Sequence, residues 1–198
     1  MQVSQEDIMK ALEEKILKEG KVLPGNILKV GSFLNHQMDV DFLMEMGRVI
    51  AEKFAGDHVT KILTVEASGI AIAVAAAAHM HVPAVFAKKN KTGNLSGGVY
   101  ATQVHSYTHN RDYTIVVSKE YINENDVVLL VDDFLANGAA LEGMIEIVKQ
   151  AGAKVAGASC AIEKGFQGGG DKLRQMGYKI ESLAIVETMS EDSLTFRK

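Results

Sequence analysis

Cysteine and proline are nearly missing from this chain of 198 residues: Cys160 is the only cysteine, and Pro24 and Pro83 are the only prolines. A single cysteine excludes an intramolecular disulfide and suits a reducing compartment. It sits in the apolar run 155–162, where it reads as a small core residue. No apolar run is long enough to cross a bilayer. The first 18 residues are acidic and helical in pattern, without a basic leader or a cleavable apolar core, so no signal peptide is expected and the cytoplasm is the expected location. The formal charge of −4, with the two signs interspersed, argues against a nucleic-acid or membrane surface as partner but leaves room for a local basic pocket. A chain of this length is most simply one domain, able to bury about 70% of its unfolded surface without a disulfide or a structural metal.

Several site motifs are absent too. There is no G-x-x-x-x-G-K-[ST], which argues against a P-loop nucleotide hydrolase, and no dinucleotide glycine fingerprint. Gly168, Gly169 and Gly170 follow a strand but read as a flexible turn. His105 and His109 have metal-ligand spacing, yet no carboxylate or thiolate set accompanies them, so they read as exposed loop residues. His79 and His81 close an apolar helix and are expected to cap its carbonyls. No acylation triad emerges.

What is present is an alternation of strands and helices. Ser4 and Asp7 resemble a capping box ahead of Ile8, Met9, Leu12 and Ile16, which recur at helical spacing until Gly20. Pro24 and Gly25 mark a turn, and residues 27–36 read as a loop or short strand. Asp39 or Asp41 caps a second helix stopped by Gly56. Residues 61–65 form a strand, 66–69 a tight turn, 70–80 an Ala-rich helix expected to be buried all round, and 84–87 a parallel partner strand. The Gly- and Lys-rich stretch 88–111 is either a mobile lid or a solvated hairpin. Residues 113–117 suggest an edge strand. A second parallel unit follows from 127 to 162, then a short helix with Leu173 and Met176, and a last strand over 180–186.

The most informative stretch is 127–141. Val127, Val128, Leu129, Leu130 and Val131 read as a strand buried on both faces, ending in Asp132 and Asp133 and then in a small-residue turn that opens a helix. Bare carboxylates cannot be buried without cost, so these two are expected to meet solvent, a metal or ligand hydroxyls. Ala136, Asn137, Gly138, Ala139 and Ala140 then offer successive backbone N–H groups at a helix N-terminus, a setting for phosphate. Strand end and turn together suit a sugar phosphate.

This stretch resembles the phosphoribosyl-pyrophosphate (PRPP) motif of the type I phosphoribosyltransferase family, and Val65, Glu66, Ala67, Ser68, Gly69 and Ile70 resemble its pyrophosphate-contacting loop. Leu28-Lys29-Val30, the run Ser32 to Gln37, the Asp132 to Gly138 motif with Asn137 in place of the usual threonine, and Ile162-Glu163-Lys164 with Phe166-Gln167 are similar to the xanthine-specific bacterial branch. The likeness covers nearly the whole chain and is weakest over 88–111.

The resemblance implies an α/β fold of the type I class: a mainly parallel central sheet flanked by helices, in one domain over 1–198, with a small base-binding hood from about 1–36 and 163–198. It implies transfer of a phosphoribosyl group from PRPP to N9 of xanthine in purine salvage, with guanine or hypoxanthine as alternative bases and a non-catalytic PRPP sensor as the other class. Regulators of the sensor kind carry an added DNA-binding domain, which the sequence does not show. Asp132 and Asp133 would hold the ribose as it becomes oxocarbenium-like. Ala136 to Ala140 would bind the 5′-phosphate, and Ser68, Gly69 and Lys88 or Lys89 the pyrophosphate. Leu28 and Asn35 would line the base pocket, Lys164 would donate to the purine O6, and Phe134 or Phe166 would stack on the base. Mg²⁺ is implied as an ion carried mainly by PRPP, with no ligand set assigned in the protein. A homodimer is implied as well.

Overall fold

The computed structural model describes residues 3–90, 98–106, 111–191 and 193–198. In chain order the elements are α1 (Gln5–Glu19), β1 (Lys21–Leu23), β2 (Ile27–Lys29), α2 (Val40–Lys53), β3 (Lys61–Val65), α3 (Gly69–Met80), β4 (Ala84–Asn90), β5 (Val99–Ser106), β6 (Arg111–Ser118), β7 (Val127–Leu135), α4 (Ala139–Gln150), β8 (Lys154–Lys164), a 3₁₀ turn (Gly165–Gln167), α5 (Gly169–Gln175), β9 (Ile180–Met189) and β10 (Leu194–Phe196). The helix starts follow local chemistry. Ser4 Oγ accepts from the Asp7 N–H at 3.1 Å and donates to the Asp7 carboxylate at 2.7 Å, which opens α1. Asp39, of the two acids expected, opens α2 by accepting from the Phe42 N–H at 3.2 Å.

Eight strands form one sheet in the order β10-β9-β8-β7-β3-β4-β6-β5, and β1 and β2 form a separate two-stranded hairpin. The contiguous strands from β9 to β4 are parallel, while β10, β6 and β5 join antiparallel at the two ends. Both faces of the sheet are covered. Leu129 and Val131 of β7 pack with α1, α2 and α3 on one face. Val128 and Leu130, pointing the other way, pack with α4 and with Leu173 of α5.

The sequence expectations need correction at several places. The strand at 127–131 does not stop at the acids: β7 runs on to Leu135, paired with β8 at Asp132↔Cys160 and Phe134↔Ile162. Residues 113–117 are not at an edge, because β6 lies between β4 and β5. Much of 88–111 is ladder rather than lid, since β4 extends to Asn90 and β5 pairs with β6 as a hairpin; residues 91–97 and 107–110, including His109, lie outside the described residues. Helix α3 is not buried all round, for Val74 is 53% exposed. Its C-terminus is closed by the backbone N–H of His81, in the left-handed conformation, donating to the Ala77 carbonyl. Helix α2 ends at Lys53, before Gly56. Strand β10 had no sequence signal, being three residues long.

Candidate active site

The parallel sheet sets the location. The C-terminal ends of β3 and β7 are neighbours, and each leads through a short turn into a helix, so two helix N-termini open on the same edge. Asp132 and Asp133 stand at that edge, 8% and 7% exposed. Asp132 Oδ1 accepts the Asp133 N–H at 2.9 Å. Burial, and then the neighbouring Asp133, push the Asp132 carboxyl well above the ordinary carboxylate range. Asp133 Oδ2 accepts from the Asn35 side-chain amide at 3.1 Å. That bond joins residues 98 positions apart and brings an expected base-pocket residue onto an expected ribose carboxylate.

Beyond Asp133 the chain turns through residues 136–140. Gly138 holds φ +91°, a conformation that disfavours a side chain, and Ala139 begins α4. Not all the loop amides are free for a ligand as expected: the Ala139 N–H donates to Asn137 Oδ1 at 3.1 Å. Asn137 thus spends its side chain shaping the turn from within. The three-glycine run lies against this loop. The Gly169 N–H donates to the Ala136 carbonyl at 3.1 Å, so Gly169 gives close backbone approach to the loop in place of the expected flexible turn, while a Cβ on Gly168 would meet nothing within 4 Å.

The second turn links β3 to α3. Gly69 starts the helix, where a Cβ would overlap Thr64 Oγ1 and lie 2.9 Å from Asp132 Oδ1, so only glycine fits between strand and acid. Thr64 Oγ1 is buried there and has no hydrogen-bond partner among the described residues. The Glu66 carboxylate accepts the Lys89 N–H at 2.6 Å and ties the turn to β4. The Lys89 ammonium stands 5.4 Å from the Tyr113 ring centroid, and Tyr113 is held above its usual pKa by burial and then by Asp132. Lys89 is thereby placed toward the acids. Lys88 is exposed.

A cavity of about 530 Å³, within the range of small-molecule sites, is lined by Leu28, Lys29, Gly31, Asn35, His36 and Ser68. It brings Leu28 and Asn35 together with Ser68. Lys164, at the end of β8, donates to the Asn26 carbonyl in the β1–β2 turn at 2.8 Å and lies 5.5 Å from the Phe134 centroid. Burial lowers its pKa. The structure therefore pairs Lys164 with Phe134, whereas Phe166 is 39% exposed. Among the described residues no group of three or more His, Cys, Asp and Glu could hold a metal ion.

This arrangement has known counterparts. The family model "Phosphoribosyl transferase domain" matches residues 35–186. The chain belongs to the phosphoribosyltransferase family. It is 55% identical to a xanthine phosphoribosyltransferase from Bifidobacterium adolescentis over 188 residues, 94% of this chain and 97% of that protein. It is 52% identical to xanthine phosphoribosyltransferase 1 from Clostridium perfringens, over 96% of this chain and 100% of the other. An adenine phosphoribosyltransferase structure from Trypanosoma brucei superposes with a TM-score of 0.74 at 16% identity, covering 91% of this chain and 82% of that one; a second, from Thermoanaerobacter pseudethanolicus, gives 0.70 at 23%, covering 88% and 98%. Those two establish the type I fold.

For this phosphoribosyltransferase, sequence reasoning missed the site's supports. Lys29 and His36 line the cavity, Glu66 fixes the β3 turn, and Gly169 backs the loop at 136–140. Lys29 and His36 stood inside the recognised motif without a role. Glu66 and Gly169 act by tertiary contacts, which leave no periodic signal.

Proposed function

We propose that this phosphoribosyltransferase moves the 5-phosphoribosyl group of PRPP to N9 of xanthine, releasing xanthosine 5′-monophosphate and pyrophosphate. The observation that carries the reading is the convergence of Asn35, Asp133 and the cavity of Leu28 and Ser68 at the strand edge, in a chain 50–56% identical to relatives named for that base.

The chemistry breaks the C1–oxygen bond to pyrophosphate and forms the C1–N9 bond, and the proton lost from the imidazole ring of the base passes to the departing pyrophosphate or to solvent. As the ribose ring gains positive character, Asp132 and Asp133 lie within reach of its hydroxyls, where oriented oxygen acceptors favour the transition state. The turn at 136–140 and the α4 N-terminus receive the 5′-phosphate, and Ser68, Gly69 and Lys89, with Lys88 nearby, face the pyrophosphate. Lys164 has three N–H donors, of which one is used on Asn26, leaving donors for the purine O6. Phe134, held beside that ammonium, supplies the stacking face, and Phe166 covers the outer side. Asn35 distinguishes the C2 oxo group from an amino group with the amide that also meets Asp133.

Two adjacent acids, with no cluster of three metal-ligating side chains among the described residues, suit Mg²⁺ delivered on PRPP, since this ion commonly takes one or two carboxylates along with substrate phosphates. Asp132 and Asp133 are the protein's contribution, and the ion supplies charge neutralisation of the departing pyrophosphate. The hood over the base draws on segments within about 1–36 and 163–198, of which β9 and β10 belong to the main sheet; the separate β1–β2 hairpin and its contact with Lys164 support the N-terminal part. A cytoplasmic homodimer completes the assignment; light scattering on the purified protein tests the stoichiometry. The defining assay mixes protein, PRPP, Mg²⁺ and xanthine and follows nucleotide and pyrophosphate. Equal amounts of xanthosine monophosphate and pyrophosphate are expected; PRPP binding without product would convert the assignment to a sensor.

A further inference from the structure

Gly169 begins α5 with its backbone pressed on the loop at 136–140. A Cβ there would overlap the Ala136 carbonyl oxygen and the Asn137 carbonyl carbon, and would sit 2.5 Å from the Gly138 nitrogen. The Gly169 N–H holds the Ala136 carbonyl at 3.1 Å. In a planar trans peptide the C=O and the following N–H point in opposite directions. Fixing the Ala136 carbonyl toward α5 therefore aims the Asn137 N–H away from α5.

What seats α5 at this distance is an ion pair in which the carboxylate is buried and the guanidinium is partly exposed. Glu163 is fully buried and receives two bonds from Arg174, at 2.9 Å on Oε1 and 2.7 Å on Oε2, with the Ser182 hydroxyl donating to Oε2 at 2.5 Å. Gly170 rests on that carboxylate, where any side chain would overlap Oε1. Arg174 also reaches Asp171 at 3.1 Å, and Asp171 is gripped by Arg197 at 2.9 and 3.2 Å.

We propose that Gly169 is a positioning residue for the 5′-phosphate loop, and that the Glu163–Arg174 pair is the anchor that holds it there. The inference rests on the assignment of residues 136–140 to the phosphate of PRPP. Alanine at 169 suits a helix better than glycine does, so a role confined to α5 would leave activity intact. Docking on the loop gives the opposite result.

The test is steady-state kinetics with PRPP and xanthine varied separately. In Gly169→Ala the KM for PRPP rises about tenfold or more while the KM for xanthine stays within about twofold. Arg174→Lys keeps the charge but loses the two-pronged contact, and raises the PRPP KM about threefold with the same asymmetry. Gly168→Ala is the control: φ of +74° strains it, yet its Cβ would meet nothing within 4 Å, so its melting point falls while the PRPP KM holds. A PRPP KM unchanged in both Gly169→Ala and Arg174→Lys overturns the proposal, as does an equal rise for both substrates. Failure of the wild-type enzyme to use PRPP would instead overturn the functional assignment.

Discussion

Replacing Asp132 by asparagine separates stability from catalysis with opposite signs. Asp132 is 8% exposed, accepts one backbone N–H, and has Asp133 as its immediate acidic neighbour. Asparagine keeps the shape and the acceptor and removes the charge. Because the folded-state pKa is raised above the unfolded value of about 3.8, the folded protein binds more protons than the unfolded chain between those two values, and wild-type stability falls as pH rises through that window. Each pH unit of the window is worth about 1.4 kcal/mol. In a chain of this length that is about 3–6 °C of melting temperature. Thermal denaturation of ligand-free protein should show Asp132→Asn melting above wild type at pH 8, with the gap closing toward pH 4. Activity should move the other way, kcat/KM falling at least about tenfold, or about 1.4 kcal/mol of transition-state stabilisation. Saturating PRPP and Mg²⁺ should narrow or reverse the gap in melting temperature, since a ligand at about 100 times its Kd adds about 2.7 kcal/mol to the form that binds it. Parallel pH–stability curves for the two ligand-free proteins would refute the claim that burial of this acid is costly.

Other perturbations reach separate parts of the site and the core. Lys164→Ala should raise the KM for xanthine about tenfold and leave that for PRPP nearly unchanged, because the amine meets Phe134 and the hairpin rather than the loop at 136–140; equal base affinity by calorimetry would remove Lys164 from the proposed base site. Asn35→Ala should weaken xanthine binding and reduce its advantage over guanine by about tenfold, seen in the ratio of kcat/KM values. A preserved ratio would mean that Asn35 serves Asp133 alone. Gly47→Ala should lower stability by about 1–3 kcal/mol, roughly 2–12 °C, because its Cβ would overlap the Ala75 backbone where α2 crosses α3. Catalysis at low temperature should survive that change.

Local chemistry made parts of the molecule readable in advance. Ser4 and Asp39 marked helix starts, and the apolar run ahead of Asp132 marked the central strand, because caps and buried parallel strands depend on residues close in sequence. The recognised motifs point to Asn35 and Lys164, to which the residue pattern alone assigns no role. What escaped was set by pairing across the sheet and by contacts between distant segments. Residues 113–117 alternate as an edge strand would, yet β5 covers them from one side and β4 from the other. Three glycines read as flexibility until Ala136 is seen against Gly169 and Glu163 against Gly170. In sequence, Glu163 only follows the apolar run 155–162. Its burial depends on Arg174, eleven residues on, and on Ser182, nineteen on.

The specificity of the base site tests the central claim most directly. Wild-type kcat/KM should be measured with saturating PRPP and Mg²⁺ for xanthine, guanine, hypoxanthine and adenine. Xanthine should lead, guanine and hypoxanthine should trail it, and adenine, with an amino group facing the Lys164 ammonium, should fall last by orders of magnitude. Adenine ranking with or above xanthine would contradict the assignment of Lys164 and Asn35 as the residues that choose the base.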